Sequence, residues 1–265
     1  MAHLGRGLAQ SAGGRFFARL GRAVLAGPGV FVRRCAVCGR TGRKDPDGLI
    51  LCETCREALS PRQGGYCPVC GHCFDQPLAP PMICASCRTN PPPWMGFSFY
   101  GRYEGLLRQC VLEYKFRSRP SHVLVLRTLM RRAYLRGVEA EGPGALHPHG
   151  PDIIAPVPLH PRRLRWRGFN QSLELAQAVR ALAPDALVAA QALRRVRHTV
   201  PQSALPGAKR RENIKGAFIA DRSLVAGRTV LLTDDVMTTG ATVEQAVFAL
   251  RKAGAERVDV LTLAR

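Results

Sequence analysis

Two matched sets of four cysteines constrain this chain more than any other feature. Cys35, Cys38, Cys52 and Cys55 recur 32 positions later as Cys67, Cys70, Cys84 and Cys87, and both sets read Cys-x2-Cys-x13-Cys-x2-Cys. A fixed period of this kind marks one small unit used twice. A Cys-x2-Cys turn aims two thiolates at one point, and two such turns complete a tetrahedral Zn2+ site. Units this small bury too little apolar surface to fold alone, so the metal supplies folding free energy. A disulfide framework would need an oxidising compartment, and no export signal is visible. A thioredoxin-like redox motif does not call for four pairs in duplicate. Two structural zinc ions are expected. The spacing suggests that the first four cysteines hold one and the last four the other, with interleaved pairing still open. Cys73, beside His72, could replace Cys70 as a ligand but the repeat argues against that, and Cys110 sits in an apolar helical context that suits a core position.

The cysteines also organise the chain. Nine of the ten lie between Cys35 and Cys87, and three consecutive prolines, 91–93, follow as a stiff linker. The expected parts are a basic extension over residues 1–34, a double zinc ribbon over 35–90 and a second domain over 91–265. The extension is rich in arginine and has no acid. It lacks the long apolar stretch and small-residue cleavage site of a secretory signal, and reads as an amphipathic helix, with surface binding the weaker reading. No run of about 20 apolar residues occurs, which argues against a transmembrane segment and for a cytoplasmic location. The net charge of +20 points to polyanionic partners, although a preference for arginine codons would raise it too.

After the prolines the pattern becomes strand and helix in alternation. Strands are predicted over 97–103, 152–158, 229–233 and 258–263. Helices are predicted over 104–116, about 122–137, 170–182 and 242–252, and a loop over 141–151. Alternation of this kind predicts an α/β domain with a mostly parallel sheet covered on both faces.

The most informative segment lies at the end of the third strand. An apolar run reaches Asp234 and Asp235, continues through Val236, Met237, Thr238, Thr239, Gly240, Ala241 and Thr242, and enters a helix. Ligands bind at the carboxyl ends of parallel strands. A helix N-terminus offers free N–H groups and a positive dipole end to phosphate. Gly240 permits close backbone approach, the threonines add hydroxyl donors, and the acids suit vicinal sugar hydroxyls. No lysine follows the glycine, so this is not a P-loop, and no Gly-x-Gly-x-x-Gly is present. An acid pair at a strand end also suits Mg2+, but the hydroxyl-rich turn favours a sugar phosphate.

Residues 234–242 resemble the phosphoribosyl-pyrophosphate (PRPP) loop of type I phosphoribosyltransferases. Three further segments narrow the resemblance: residues 156–171 (PVPLHPRRLRWRGFNQ), 194–203 (RRVRHTVPQS) and 210–218 (RRENIKGAF). With the cysteine ribbons and Tyr114-Lys-Phe116, the chain is similar to the ComF family, including its GntX-like members, over roughly residues 35–265. The resemblance implies a type I phosphoribosyltransferase-like fold behind an N-terminal double zinc ribbon, and a link to DNA uptake, to DNA as a nutrient or to nucleotide metabolism. It implies that Asp234 and Asp235 hold the ribose hydroxyls and that Thr238–Thr242 hold the 5′-phosphate. It also implies that 156–171 supply the pyrophosphate side and that about 194–215 form a flap. Mg2+ would arrive with PRPP.

The basic clusters fit that layout, since pyrophosphate needs compensating charge as it departs. Arg162, Arg163, Arg165 and Arg167 form one cluster, and Arg194, Arg195 and Arg197 with Arg210 and Arg211 another. Each could instead be a solvated face. A non-enzymatic competence adaptor is the alternative, with the arginines and Trp166 tracking single-stranded DNA, or a helicase as partner. One position departs from the purine-salvage enzymes: Thr238 stands where their loop carries an acid that handles the base's proton. That disfavours hypoxanthine or guanine as acceptor, and no catalytic base is evident. Thr233 also replaces the aliphatic residue expected before the acid pair.

Overall fold

The computed structural model describes residues 33–117, 120–197 and 212–265. The helix expected within residues 1–34 therefore lies almost wholly outside the described residues, as do Arg210 and Arg211.

The two ribbons come first. The first carries the short antiparallel pair β1 (Arg43–Lys44) and β2 (Ile50–Leu51), followed by helix α1 (Glu53–Ala58). The second ends in helix α2 (Ala85–Thr89). Then follow β3 (Gly96–Gly101), α3 (Gly105–Arg117), α4 (Pro120–Glu139), β4 (Ile153–Pro156), α5 (Pro161–Arg167), α6 (Gln171–Arg180) and β5 (Leu187–Val188). The chain continues with β6 (Leu193–Arg195), β7 (Phe218–Ala220), α7 (Arg222–Val225), β8 (Thr229–Val236), α8 (Ala241–Lys252) and β9 (Arg257–Ala264).

Five strands form one sheet in the order β3-β9-β8-β4-β5, and every pairing is parallel. The apolar strands follow from burial. A parallel sheet is covered on both faces, so its central strands read as continuous apolar runs. In β8, Val230 and Leu232 enter the core that contains Val243, Val247 and Leu250 of α8, while Leu231 enters the core that contains α4 and α6 residues Leu129, Met130 and Leu175. β9 splits the same way, Val258 and Val260 to one face and Leu261 and Leu263 to the other.

The strands expected over 97–103, 152–158, 229–233 and 258–263 and the four expected helices all form. Three differences matter for function. Strand β8 runs on to Val236, so the acid pair sits within the strand. Residues 161–167 form a helix, capped by His160, which accepts from the Arg162 N–H at 3.2 Å, and ended by Gly168 at φ 83°. Strands β6 and β7 form a separate antiparallel pair that packs on α8. They are too short to leave a periodic signal.

The ribbons pack against opposite faces of the sheet's β3 edge. Leu49, Leu51 and Leu59 of the first join the core with Tyr100 and Leu107, while Tyr66, Cys70 and Cys73 of the second pack against the core with Trp94, Phe97 and Phe99. Polar contacts hold both in place. Tyr100 donates its hydroxyl to the Leu59 carbonyl at 2.5 Å, and Trp94 Nε1 donates to the Val69 carbonyl at 2.7 Å. Arg132 of α4 pairs with Asp45 and, at 2.6 Å, with Asp47. Among the described residues no helix is long and apolar enough to cross a membrane.

Candidate functional site

The four cysteine sulfurs of each set lie within 4.8 Å of one another, Cys35, Cys38, Cys52 and Cys55 in one group and Cys67, Cys70, Cys84 and Cys87 in the other. The sequential grouping is therefore the one the fold forms. With Zn–S bonds of about 2.3 Å, a tetrahedron has edges of about 3.8 Å. The separations of Cys38 from Cys52, 3.5 Å, and of Cys70 from Cys84, 3.8 Å, fit that geometry. Cys73 stands outside the set, with its thiol on the Gly71 carbonyl at 3.4 Å. Cys110 is fully buried, and burial pushes its thiol up to about 12. All eight ligands are used, so these are closed structural sites with no position open for catalysis.

The second site is a cleft of about 670 Å3 at the carboxyl ends of β4 and β8. Its floor is the acid pair. Asp234 is buried, accepts the Ser172 hydroxyl at 2.9 Å and also accepts the Asp235 N–H at 2.9 Å. Burial pushes its carboxyl up to about 7, and the neighbouring Asp235 charge pushes the same way, against Lys115 and the Ser172 hydrogen bond. Asp235 is ion-paired with Lys115 at the end of α3. Thr233, fully buried beneath the pair, directs its hydroxyl to the Ser172 carbonyl at 3.4 Å. This hydroxyl explains a polar residue where an aliphatic one was expected.

Beyond the acids the chain turns into α8. Gly240 is the N-cap at φ 80°, and no side chain caps the helix. Its first-turn N–H groups therefore have no intrahelical partner. Thr238 and Thr242 line the cleft, while Met237 and Ala241 are buried in the core beneath. Thr239 is exposed beside Gly240, on the side of the loop nearer the second ribbon.

Helix α5 builds the basic wall. Arg163, Trp166 and Arg167, at i, i+3 and i+4, share one face and line the cleft. Arg162 and Arg165 are exposed and lie off that wall. Arg167 donates to Gln171 Oε1 at 2.7 Å and lies over the Phe116 ring at 5.5 Å, and burial lowers its pKa. Arg195 of β6 enters the cleft above the Phe218 ring. Burial lowers it to about 10, with Arg163 adding repulsion and Asp234 opposing. Arg194 points to the other side of the strand and is exposed, and Arg197 is spent on the Lys215 carbonyl. Phe116 and Trp166 stand edge to face at 6.2 Å on the rim, Trp166 being 71% exposed.

Three participants are not singled out individually by the sequence, although Gln171 ends the quoted 156–171 segment. Ser172 begins α6 beneath its Asn170 cap and reaches Asp234 only through the fold. Gln171 fixes Arg167. Lys115 belongs to a quoted motif, Tyr114-Lys-Phe116, but the 120 positions that separate it from Asp235 hide its partner.

The cleft and the ribbons match known families. A family model described as the phosphoribosyl transferase domain matches residues 174–265, and one described as the double zinc ribbon domain matches residues 29–90. Competence protein F of Haemophilus influenzae is 32% identical over 226 residues, 81% of this chain and 96% of that protein. The chain belongs to the ComF family. The DNA utilization proteins YhgH of Salmonella typhimurium and Escherichia coli K12 are 33% and 32% identical to this ComF-family chain over the same shares of each sequence.

Proposed function

We propose that this ComF-family protein binds PRPP with Mg2+ in the cleft and acts as a phosphoribosyl donor-binding enzyme in the use of DNA or nucleotides. The observation that carries the reading is the acid pair at the end of β8, followed directly by the uncapped N-terminus of α8. Asp234 and Asp235 accept the ribose hydroxyls, and Thr238, Thr242 and the first N–H groups of α8 receive the 5′-phosphate. Arg163, Arg167 and Arg195 face the pyrophosphate side, where fixed cations stabilise charge as it leaves the anomeric carbon. Mg2+ carried in with PRPP would neutralise part of that charge. The acids already engage Ser172 and Lys115, which favours a metal that arrives on the substrate over one held by the protein.

The relatives' names, competence protein F and DNA utilization protein, support a role in handling DNA. The absence of a carboxylate among Val236–Thr242 argues against a purine acceptor that hands its proton to the loop. A cytoplasmic setting suits two sites that need reduced thiolates.

Calorimetry with PRPP and Mg2+ tests the reading. Binding by the native protein, lost when Asp234→Ala and Asp235→Ala are combined, is the expected result. Equal binding by both proteins, or none by the native protein, overturns it.

A further inference from the structure

Arg265, directly after β9, joins the second zinc site to the phosphate loop. Its Nε donates to the carbonyl of Cys70 at 2.8 Å. Its Nη1 donates to the Thr238 carbonyl and, at 3.4 Å, to that of Met237. Its own backbone is fixed, the N–H on the Gly101 carbonyl at 3.0 Å and the carbonyl on the Tyr103 N–H at 3.0 Å. The guanidinium therefore spans a rigid strand end, a metal ligand and the loop.

A second contact joins the same two parts. Trp94 is buried, donates to Val69 between the ligands Cys67 and Cys70, and packs in one core with Met237. A Cβ placed on Gly240 would stand 3.8 Å from its ring. Among the described residues no hydrogen bond joins the first zinc site to residues 237–242, and Leu49, Leu51 and Leu59 pack with Tyr100 and Leu107 in the other core.

The geometry has a direct consequence for anion binding. In a trans peptide the carbonyl and the following N–H point in opposite directions. Carbonyls of Met237 and Thr238 held toward Arg265 turn the N–H groups of Thr238 and Thr239 away from the ribbon. Successive N–H groups aimed one way form an anion-binding concavity. We infer that Arg265 is a positioning residue for the phosphate loop, and that occupancy of the second zinc site, not the first, sets how tightly the loop holds a phosphate. This rests on the PRPP reading above for its ligand. The coupling is reciprocal, so a bound phosphate ligand also stabilises zinc in the second site.

The test compares four variants of the full chain. Arg265→Ala is expected to keep both zinc ions and to weaken binding of PRPP and of ribose 5-phosphate about tenfold. Arg265→Lys, which still donates to carbonyls, recovers part of that loss. Cys87→Ser matches Arg265→Ala, whereas Cys38→Ser loses one zinc with affinity within about twofold of native, below the roughly fivefold at which coupling between sites usually begins. Hydrogen exchange of the peptide covering 237–243 is read in parallel without any ligand. Faster exchange in Arg265→Ala and Cys87→Ser, but not in Cys38→Ser, supports the coupling even if PRPP proves not to be the ligand. Unchanged exchange in Arg265→Ala, or equal effects of the two cysteine variants, overturns it. Failure of native protein to bind PRPP, with the exchange pattern intact, sinks only the functional reading.

Discussion

Ser172 donates its hydroxyl to Asp234 across 2.9 Å in a site where the carboxylate is buried. Burial and Asp235 raise Asp234 from 3.8 to about 7. The folded protein therefore holds this proton more tightly than the unfolded chain does. The stabilisation is complete below pH 3.8 and is lost as pH rises to about 7. Asp234→Asn keeps an acceptor for Ser172 and removes the charge. It should raise Tm by a few degrees at pH 8, for about 1 kcal/mol gained, with little effect at pH 4. Sugar-phosphate binding should fall at least about tenfold, the cost of one ribose hydrogen bond to a charged acceptor. Calorimetric scans at the two pH values, with a titration at pH 8, check both parts.

The parallel core was legible because it depends on local pattern. The apolar run of Val230, Leu231 and Leu232 and the helical period of Val243, Ala246, Val247 and Leu250 each state their own burial. The acid pair and the threonine turn were legible because their order along the chain is their order in space. Contacts between distant residues were not. Lys115 meets Asp235, Ser172 meets Asp234 and Arg265 meets Cys70 only after the sheet assembles. Sequence also could not rank the arginines. The helical turn of α5 separates Arg163 and Arg167 from Arg165, and the strand alternation of β6 separates Arg195 from Arg194.

Lys115 neutralises Asp235 while the cleft holds no sugar, and both side chains are largely buried. Removing one partner of such a pair leaves an uncompensated charge. Lys115→Met should destabilise the protein by about 3–5 kcal/mol. Lys115→Met combined with Asp235→Asn should recover most of that loss, because no buried charge remains. Urea unfolding of the two single variants and the double variant closes the cycle. Additive losses in the double variant would mean the pair is not coupled.

The two four-cysteine groups predict two zinc ions per chain by metal analysis. A strong chelator should strip both and lower Tm by about 10 °C or more, since structural zinc contributes folding free energy of many kcal/mol. The loss should extend to the sheet. Tyr66, Cys70 and Cys73 pack in one core with Trp94, Phe97 and Phe99, so slackening the second ribbon exposes the β3 edge. Tryptophan emission and far-ultraviolet dichroism should therefore melt together. Separate transitions would show that the ribbons fold independently of the sheet.

Arg195 separates the two ends of the PRPP reading. It lines the cleft beside Asp234 but comes from β6, away from the phosphate loop of β8 and α8. On the proposed layout it faces the pyrophosphate, so PRPP should depend on it more than ribose 5-phosphate does. Burial lowers this guanidinium to about 10, with Arg163 adding repulsion and Asp234 opposing. Arg195→Ala should weaken PRPP about tenfold or more, equivalent to about 1.4 kcal/mol, and ribose 5-phosphate clearly less. Arg194→Ala, one residue away on the exposed side of the same strand, is the control and should change neither. Titration calorimetry with both ligands reads the contrast. Equal losses for PRPP and ribose 5-phosphate would remove Arg195 from the pyrophosphate side, and an effect of Arg194→Ala as large as that of Arg195→Ala would reduce the basic wall to a general electrostatic field.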